Sequence, residues 1–498
     1  MVMPRKPGVR APWSYERAPN AGKAPRCGVY NSTPSQPRSA DVSGHHSQTR
    51  PRSHAGCRQS GGAACTSGRG RGGAPRVSSA ATDGLEIYLV GGAVRDRLLC
   101  LPVDESDYVV VGATAQAMRR RGFTQVGKDF PVFLHPETKD EYALARTERK
   151  RAPGYHGFDV HAAPEVTLEQ DLARRDLTIN ALAEDWDGRI IDPFGGVSDL
   201  KARVLRHVST AFAEDPVRIL RVARFSARFA ELGFRVADET MALMREMVAA
   251  GEVDALVPER VWQEMAKALS ESKPSRFFRV LRDCGALARL LPELDRLWGV
   301  PQPAGSHPEI DAGEHAMLVV DMAARLSDAL EVRFAALCHD LGKATTPAAQ
   351  WPHHRGHEAR SVALVGDVCA RLRVPKRFCE LARLTARYHG QVHRAHALAP
   401  ATLLGLFEAA DLFRRPRRLE QMLLACEADY RGRTGFEERT YAQGELIRRC
   451  ARAVRQVNER AVAAATTTRQ DIPEAIRRAR LAAIAQTCRR PGGSVGGA

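Results

Sequence analysis

The chain has 498 residues, 44% of them hydrophobic, which is enough for two or three domains with at least one sizeable core. Its formal charge of +16 is uneven: residues 1–84 hold 13 Lys+Arg against 3 Asp+Glu, while the remaining 61 basic residues face 55 acidic ones, so RNA affinity in the folded part must come from local patches. Eleven scattered cysteines without a Cys-x-x-Cys pair exclude a disulfide framework and a zinc ribbon, and no stretch reaches the roughly 18 to 20 apolar residues of a membrane helix or forms a secretory signal core. A soluble protein of the reducing cytoplasm, with no membrane partner, is expected.

Residues 1–84 are rich in Gly, Pro, Ser, Ala and Arg, with almost no apolar periodicity. Such a segment cannot bury enough surface to offset its chain entropy, which predicts a disordered basic extension or a start placed too far upstream; an RNA-contacting tail is the functional alternative. Order is predicted from Glu86. Ile87-Tyr88-Leu89-Val90 reads as a buried strand entering Gly91-Gly92 and a helix from Ala93 through Leu99. A strand over Asp107–Val111, a helix near 114–121 and short strands at 132–134, 141–146 and 190–191 predict a mixed α/β domain over 85–210. Helical patterns follow around 216–230, 238–249, 259–270 and 274–291, an all-α neck and body over 211–300. Pro301, Pro303 and Pro308 mark a boundary. Further helices from near Glu314 predict an all-α domain over 310–430 and a helical tail over 431–498.

Glu105 and Asp107 stand two residues apart at the entry to an apolar strand, so their carboxylates share a face. Hard oxygen ligands at that spacing suit Mg²⁺, although an acid-x-acid pair alone is more often a solvated turn. Upstream, a strand runs into Gly91-Gly92 and a helix, where bare backbone N–H groups can approach a triphosphate; Arg95 and Asp96 lie in that helix's first turn. Strand, Gly-Gly, helix, then acid-x-acid on the next strand is a rarer order than either part.

The stretches Tyr88-Leu89-Val90-Gly91-Gly92-Ala93-Val94-Arg95-Asp96, Asp129 to Pro136, Glu141 to Lys150 and Arg174-Arg175-Asp176-Leu177-Thr178-Ile179-Asn180-Ala181 resemble the nucleotidyltransferase superfamily that includes DNA polymerase β. Within it, they resemble the class II CCA-adding tRNA nucleotidyltransferases of the bacterial multifunctional type, over roughly residues 86 to 440. The resemblance implies that Mg²⁺ ions held by Glu105 and Asp107 activate the tRNA 3′-hydroxyl for in-line attack on the α-phosphate of CTP or ATP, with pyrophosphate leaving. Many members have Asp where this chain has Glu105, one methylene longer, which the metal is expected to tolerate. Glu141 would be the third acidic metal residue.

Asp215-Pro216 opens a helix in the manner of a cap and a first-turn proline, which by itself explains Asp215. Arg218, Arg221 and Arg224 recur every three residues and repel one another unless something anionic lies opposite. The resemblance implies that Asp215 and Arg218 read the edge of C or A, while Gly92, Arg95, Arg175, Arg221 and Arg224 hold the nucleotide; the guanidinium fork suits such recognition.

In the second half, His339-Asp340 follows an apolar run, with His315 upstream and His357 downstream. These spacings on helices resemble the HD phosphohydrolase fold, in which imidazoles and carboxylates hold a divalent transition metal such as Ni²⁺ and activate water. Asp429 would be the last ligand and His339 and Asp340 catalytic. His353, His354 and His393 read as ordinary helix residues. Some relatives carry a second His-Asp pair where this chain has His389-Gly390. The resemblance implies phosphatase, 2′-nucleotidase and 2′,3′-cyclic phosphodiesterase activity, with tRNA, CTP and ATP as partners of a monomer or homodimer. The rivals are a bacterial poly(A) polymerase, which shares the head motifs, and a catalytically silent RNA-binding protein.

Overall fold

The computed structural model describes residues 80–103, 105–126, 132–150 and 158–489. The extension up to residue 79, residues 129–131 of the head motif and residues 490–498 of the tail lie outside the described residues. Tyr108-Val109-Val110-Val111 is apolar on both sides of its pleat because its sheet is covered on both faces. Val110 joins Ile87, Met118, Phe123, Phe133 and Leu144 in one cluster, and Val109 joins Val90, Val166, Leu172 and Ala183 in the other.

The head sheet is built from β1 (Glu86–Val90), β2 (Asp107–Val111), β3 (Thr124–Val126), β4 (Val132–Leu134), β5 (Glu141–Leu144), β8 (Ala183–Glu184) and β9 (Ile190–Ile191), in the order β3-β4-β5-β2-β1-β8-β9. β6 (Thr147–Lys150) and β7 (Phe158–His161) form a separate antiparallel hairpin. Within the sheet only the β2–β5 pair is parallel; the others are antiparallel. The head helices are α1 (Gly92–Leu98), α2 (Ala115–Arg120), α3 (Leu168–Ala173) and α4 (Gly196–Ala202). The folded region takes in residues ahead of Glu86: Ala81 and Thr82 are buried, and Arg121 donates to the carbonyls of Ala81 and Asp83.

Helices α5 (Val217–Arg228), α6 (Asp238–Ala249), α7 (Pro258–Ser270), α8 (Ser275–Asp283), α9 (Ala286–Leu290) and α10 (Pro292–Asp295) follow. The single helix expected over 274–291 is two, because Gly285 turns left-handed at φ 83° and restarts the chain in α9. In α5, Ile219, Leu220, Val222 and Ala223 are fully buried, which fixes the opposite face, with its arginines, toward the head. Beyond the prolines come α11 (Ala312–Leu326), α12 (Leu330–Cys338), α13 (His357–Arg371), α14 (Lys376–His393), α15 (Pro400–Ala409), α16 (Pro416–Arg431), α17 (Ala442–Arg455), α18 (Glu459–Ala464) and α19 (Ile472–Arg489). One apolar core runs without a break from Val94 of α1 through α5, α11, α12 and α16 to Ile484 of α19.

Helix α4 lies directly on the turn Thr178–Asn180: a Cβ on Gly196 would stand 2.2 Å from the Thr178 carbonyl oxygen, a backbone atom that cannot swing aside. Gly196→Ala is therefore expected to lower stability by about 2–3 kcal/mol. Urea unfolding checks this, and an unchanged midpoint would show that α4 can lift off the turn.

Candidate active sites

Strand register assembles the first site. Val90, the last residue before the Gly91-Gly92 turn, pairs with Asp107, and Asp107 pairs on its other side with Glu141. Glu105 lies two residues before Asp107, so three carboxylates line one end of the sheet and one wall of a cleft of about 680 Å³. Gly91 turns at φ 70°, and a Cβ there would stand 2.7 Å from the Arg175 guanidinium. Burial raises the Asp107 carboxyl, with Arg175 pulling it down and Glu105 pushing it up. An all-oxygen donor set whose neighbouring acid resists ionisation fits a hard divalent cation that would relieve that repulsion.

The remaining candidates line the same cleft: Gly92, Arg95, Arg175, Asp215, Arg218, Arg221 and Arg224. The anions that the arginine stripe demands are largely the protein's own. Arg221 pairs with Asp176 at 2.6 Å, and Arg224 with Glu264 at 2.7 Å. Arg218 donates to the carbonyls of Ala211 and Arg174. Arg95 grips Asp96 with two N–H groups at 2.8 Å, donates a third to Asn180, and packs over the Phe225 and Phe229 rings. Arg175 contacts Asp171 and the Asn180 carbonyl, but its buried Nε has no hydrogen-bond partner.

Three cleft residues escaped sequence reading. Arg228 reaches Asp96 at 3.0 Å and continues the stripe by one helical step, so the periodicity could have found it. Asn180, within the Arg174–Ala181 stretch, bridges Arg95 and Asp176. Arg260 of α7 clasps both oxygens of Asp215, which also accepts the Val217 N–H, so Asp215 is a cap and a cleft carboxylate together. No local pattern announces Arg260, 45 residues along the chain from its partner.

The second site lies among α11, α12, α13, α14 and α16. His315, His339 and Asp340 come together, as do Asp340, His357 and His389, and His307, His315 and Asp429. His339, His357 and His389 each direct Nδ1 to a backbone carbonyl three residues back, which leaves Nε2 for the interior. Nε2 of His339 lies 3.1 Å from Oδ2 of Asp340 and Nε2 of His357 lies 3.2 Å from Oδ1 of the same carboxylate, yet Nε2 of His339 and Oδ1 of Asp340 make no well-angled hydrogen bond, and Nε2 of His357 also faces Nε2 of His389 at 3.2 Å. Lone pairs turned toward one another, with carboxylates between, fit a divalent metal; the mixed imidazole and carboxylate set suits a transition ion.

Burial would raise the Asp340 carboxyl, but His339, Lys343 and His357 hold it well below the ordinary range. Burial likewise opposes Asp429, which His393, His339 and Arg433 keep ionised. Burial pushes His389 down to about 3, so its ring stays neutral and available as a ligand. His353 is exposed, and His354 is held by Thr346 and the Pro301 carbonyl; both lie in the loop before α13, not in the helix expected for them. His393, expected to be ordinary, instead meets Asp429 at 2.6 Å. It lies one turn beyond His389 on α14, a spacing of four that could have flagged it. At position 390, Glu358 Oε1 stands 3.1 Å from where a Cβ would be.

Three family models match the chain in order: the Poly A polymerase head domain over residues 87–206, the probable RNA and SrmB-binding site of polymerase A over 233–297, and the HD domain over 312–430. A multifunctional CCA protein of Thioalkalivibrio sulfidiphilus is 63% identical over 402 residues, 81% of this chain and 98% of that relative. One of Alkalilimnicola ehrlichii is 61% identical over 401 residues, 80% and 97% of the two chains. The chain belongs to the multifunctional CCA proteins. Solved structures share the fold: apo form II of a CCA-adding enzyme (20% identity, TM-score 0.57, 82% of this chain and 89% of that one), and the Bacillus stearothermophilus CCA-adding enzyme in complex with CTP (24%, TM-score 0.56, 81% and 89%). As a member of this family the chain is an enzyme, a nucleotidyltransferase with an additional HD phosphohydrolase half that uses divalent metal.

Asp176 joins the head to α5, and its ionisation is linked to folding. Burial opposes its charge, but Arg221, Asn180 and the Leu177 N–H outweigh burial and lower its pKa in the fold. A depressed carboxyl contributes stability above its unfolded pKa and loses it as pH falls toward its folded one. Asp176→Asn is expected to cost about 2 kcal/mol at neutral pH, since Arg221 remains partly solvated. The gap should hold down to about pH 5 and close below about pH 4. Urea unfolding across that range checks it; a gap that is flat with pH would rule out ionic linkage through Asp176.

Proposed function

We propose that this chain adds CCA to the 3′ end of tRNA from CTP and ATP, releasing pyrophosphate, in tRNA maturation and repair. The observation that carries the reading is the strand register that sets Asp107 beside Glu141, two residues from Glu105, in a cleft also lined by Arg175, Asp215 and Arg218. Mg²⁺ held by the three carboxylates would supply charge at the α-phosphate and acidify the tRNA 3′-hydroxyl. The chain's own groups do the rest. Arg175, which lines the cleft, places a positive charge beside the phosphates, and the bare backbone at Gly91-Gly92 lets a triphosphate approach.

Asp215 accepts and Arg218 donates. Such an acceptor–donor pair matches the amino group and ring nitrogen that C and A both present on their pairing edges, and opposes the carbonyl and N–H that G and U present there. The ties to Arg260, Ala211 and Arg174 hold both groups in place, so selection would rest on rigid protein instead of a nucleic-acid template.

The histidine cluster is, in the same reading, a phosphohydrolase with phosphatase, 2′-nucleotidase and 2′,3′-cyclic phosphodiesterase activity. His315, His339, Asp340, His357 and Asp429 would hold the divalent metal, with His389 facing the same pocket; Ni²⁺ fits the nitrogen-rich donors. The metal would supply a water acidified enough to attack phosphorus. The described cysteines are all free thiols, in keeping with a cytoplasmic protein, and no described helix is long and apolar enough to cross a membrane.

Incubation with tRNA lacking its CCA end, Mg²⁺, CTP and ATP, followed by sequencing of the 3′ ends, tests the reading. CCA followed by a stop is expected; a long A tail would assign the head to the poly(A) polymerases, whose head model it also matches, and no addition would leave an RNA-binding role. Asp107→Ala should abolish nucleotide addition and spare phosphatase activity, and His339→Ala should do the reverse; a single change that removes both defeats the two-site reading. Glu105→Asp should keep at least about a tenth of the addition rate and Glu105→Ala should lose it, because either carboxylate can reach the ion.

A further inference from the structure

Among the imidazoles of the second site, those at positions 339, 357 and 389 share one orientation, His315 lies between the Glu309 and Asp429 carboxylates at 2.8 and 3.1 Å, and His393 has a third. His339, His357 and His389 anchor Nδ1 on backbone and turn Nε2 inward, whereas both nitrogens of His393 meet side chains from other elements. Nε2 lies 2.6 Å from Asp429 Oδ2, and Nδ1 lies 3.0 Å from the Tyr441 hydroxyl. An ionised carboxylate only accepts, so Nε2 carries a proton toward Asp429, and the second ring nitrogen, Nδ1, shares a hydrogen bond with the Tyr441 hydroxyl. His393 therefore presents no lone pair to the cluster. It grips the carboxylate that meets His315 at 3.1 Å and His339 at 3.7 Å.

Tyr441 immediately precedes α17, beyond the HD-domain match that ends at residue 430. It is 5% exposed and packs against the Tyr430 ring at 5.2 Å. Burial also raises its phenol far above the ordinary range, which keeps it a donor. Arg433, also past the match, donates to Asp429 Oδ1 at 3.1 Å and to the Ser306 carbonyl at 3.0 Å. The tail thus reaches back onto the last carboxylate of the cluster.

We propose that Tyr441, acting through His393, is a positioning residue for Asp429: the hydroxyl fixes the rotation of the imidazole ring, and the imidazole holds the carboxylate in the orientation that the metal site needs. The HD site is then incomplete without the segment that follows it. This inference rests on the metal-site reading above. Partners one step removed from a metal, as His393 would be, change affinity by about 10- to 100-fold when lost, and Tyr441 stands one step further out, where a smaller effect is expected.

Co²⁺ titration of the full-length, metal-stripped protein, followed by calorimetry and visible absorption, tests it. All proteins carry Asp107→Ala, which breaks the carboxylate pair of the first site. Tyr441→Phe, which keeps the ring and removes only the hydroxyl, should weaken Co²⁺ binding at least about threefold, and His393→Ala about tenfold or more. His393→Gln, whose amide N–H can replace Nε2–H, should recover most of the His393→Ala loss. Adding Tyr441→Phe to His393→Gln should cause no further loss, because the hydroxyl acts through the imidazole. Metal-free Tyr441→Phe and His393→Gln should melt within about 2 °C of their parent, a shift that in a chain of this size allows for the loss of one buried hydrogen bond. A Tyr441→Phe affinity within twofold of its parent, an equal loss in the His393→Gln background, or a destabilised metal-free Tyr441→Phe protein each overturns the proposal. Failure of the Asp107→Ala parent to bind Co²⁺ would instead overturn the metal site itself, and the inference with it.

Discussion

A run of buried and half-buried arginines needs counter-charge, and meeting that need shapes the joint between the head and the helices behind it. Arg228, Asp96, Arg95, Asn180, Asp176 and Arg221 form one connected chain of hydrogen bonds that begins and ends on α5 and passes through the head. Arg224 is met from behind by Glu264 of α7. A buried pair of this kind adds little net stability against an apolar replacement, but removing one member leaves a charge without compensation. The network therefore acts chiefly on geometry. It sets α5 against the sheet in the one register in which Asp215 and Arg218 border the same cleft as Asp107 and Glu141.

The two sites meet the same problem, divalent charge at a phosphate, with different materials. The head offers carboxylates from adjacent strands at the wall of an open cleft, close to arginine donors. The helical half offers imidazoles and carboxylates buried in a bundle, with ring orientations fixed by backbone carbonyls three residues back. Oxygen ligands beside open space suit a hard ion that must share its coordination with a nucleotide; nitrogen ligands in a closed pocket suit a softer ion. One continuous apolar core joins both halves, so the sites are parts of a single packed body among the described residues.

Strong local signals were legible in the amino-acid order. The Tyr-Val-Val-Val run gave β2 at its observed bounds, and the Gly-Gly turn, the helix that follows it and the Asp215-Pro216 opening were all readable. Of the strands of two or three residues, the apolar β4 and β9 were readable, whereas β3 and β8, Thr124-Gln125-Val126 and Ala183-Glu184, carry no apolar run and exist only through their neighbours' hydrogen bonds. The break at Gly285 was hidden because a glycine in a helical pattern signals a stop only when the following segment packs elsewhere.

Residue types and spacings were enough to determine that the chain carries two groups of metal-competent acids and histidines and a stripe of arginines, since carboxylates two apart on a strand and cations three apart on a helix share a face whatever surrounds them. Tertiary structure alone decided what each of those groups meets. That Arg260 holds Asp215, that Glu264 answers Arg224, that Asn180 bridges Arg95 to Asp176, and that His393 and Tyr441 turn toward Asp429 are facts about helices packed from distant parts of the chain. A side chain's partner across a core depends on the packing of both elements, and no local pattern encodes it.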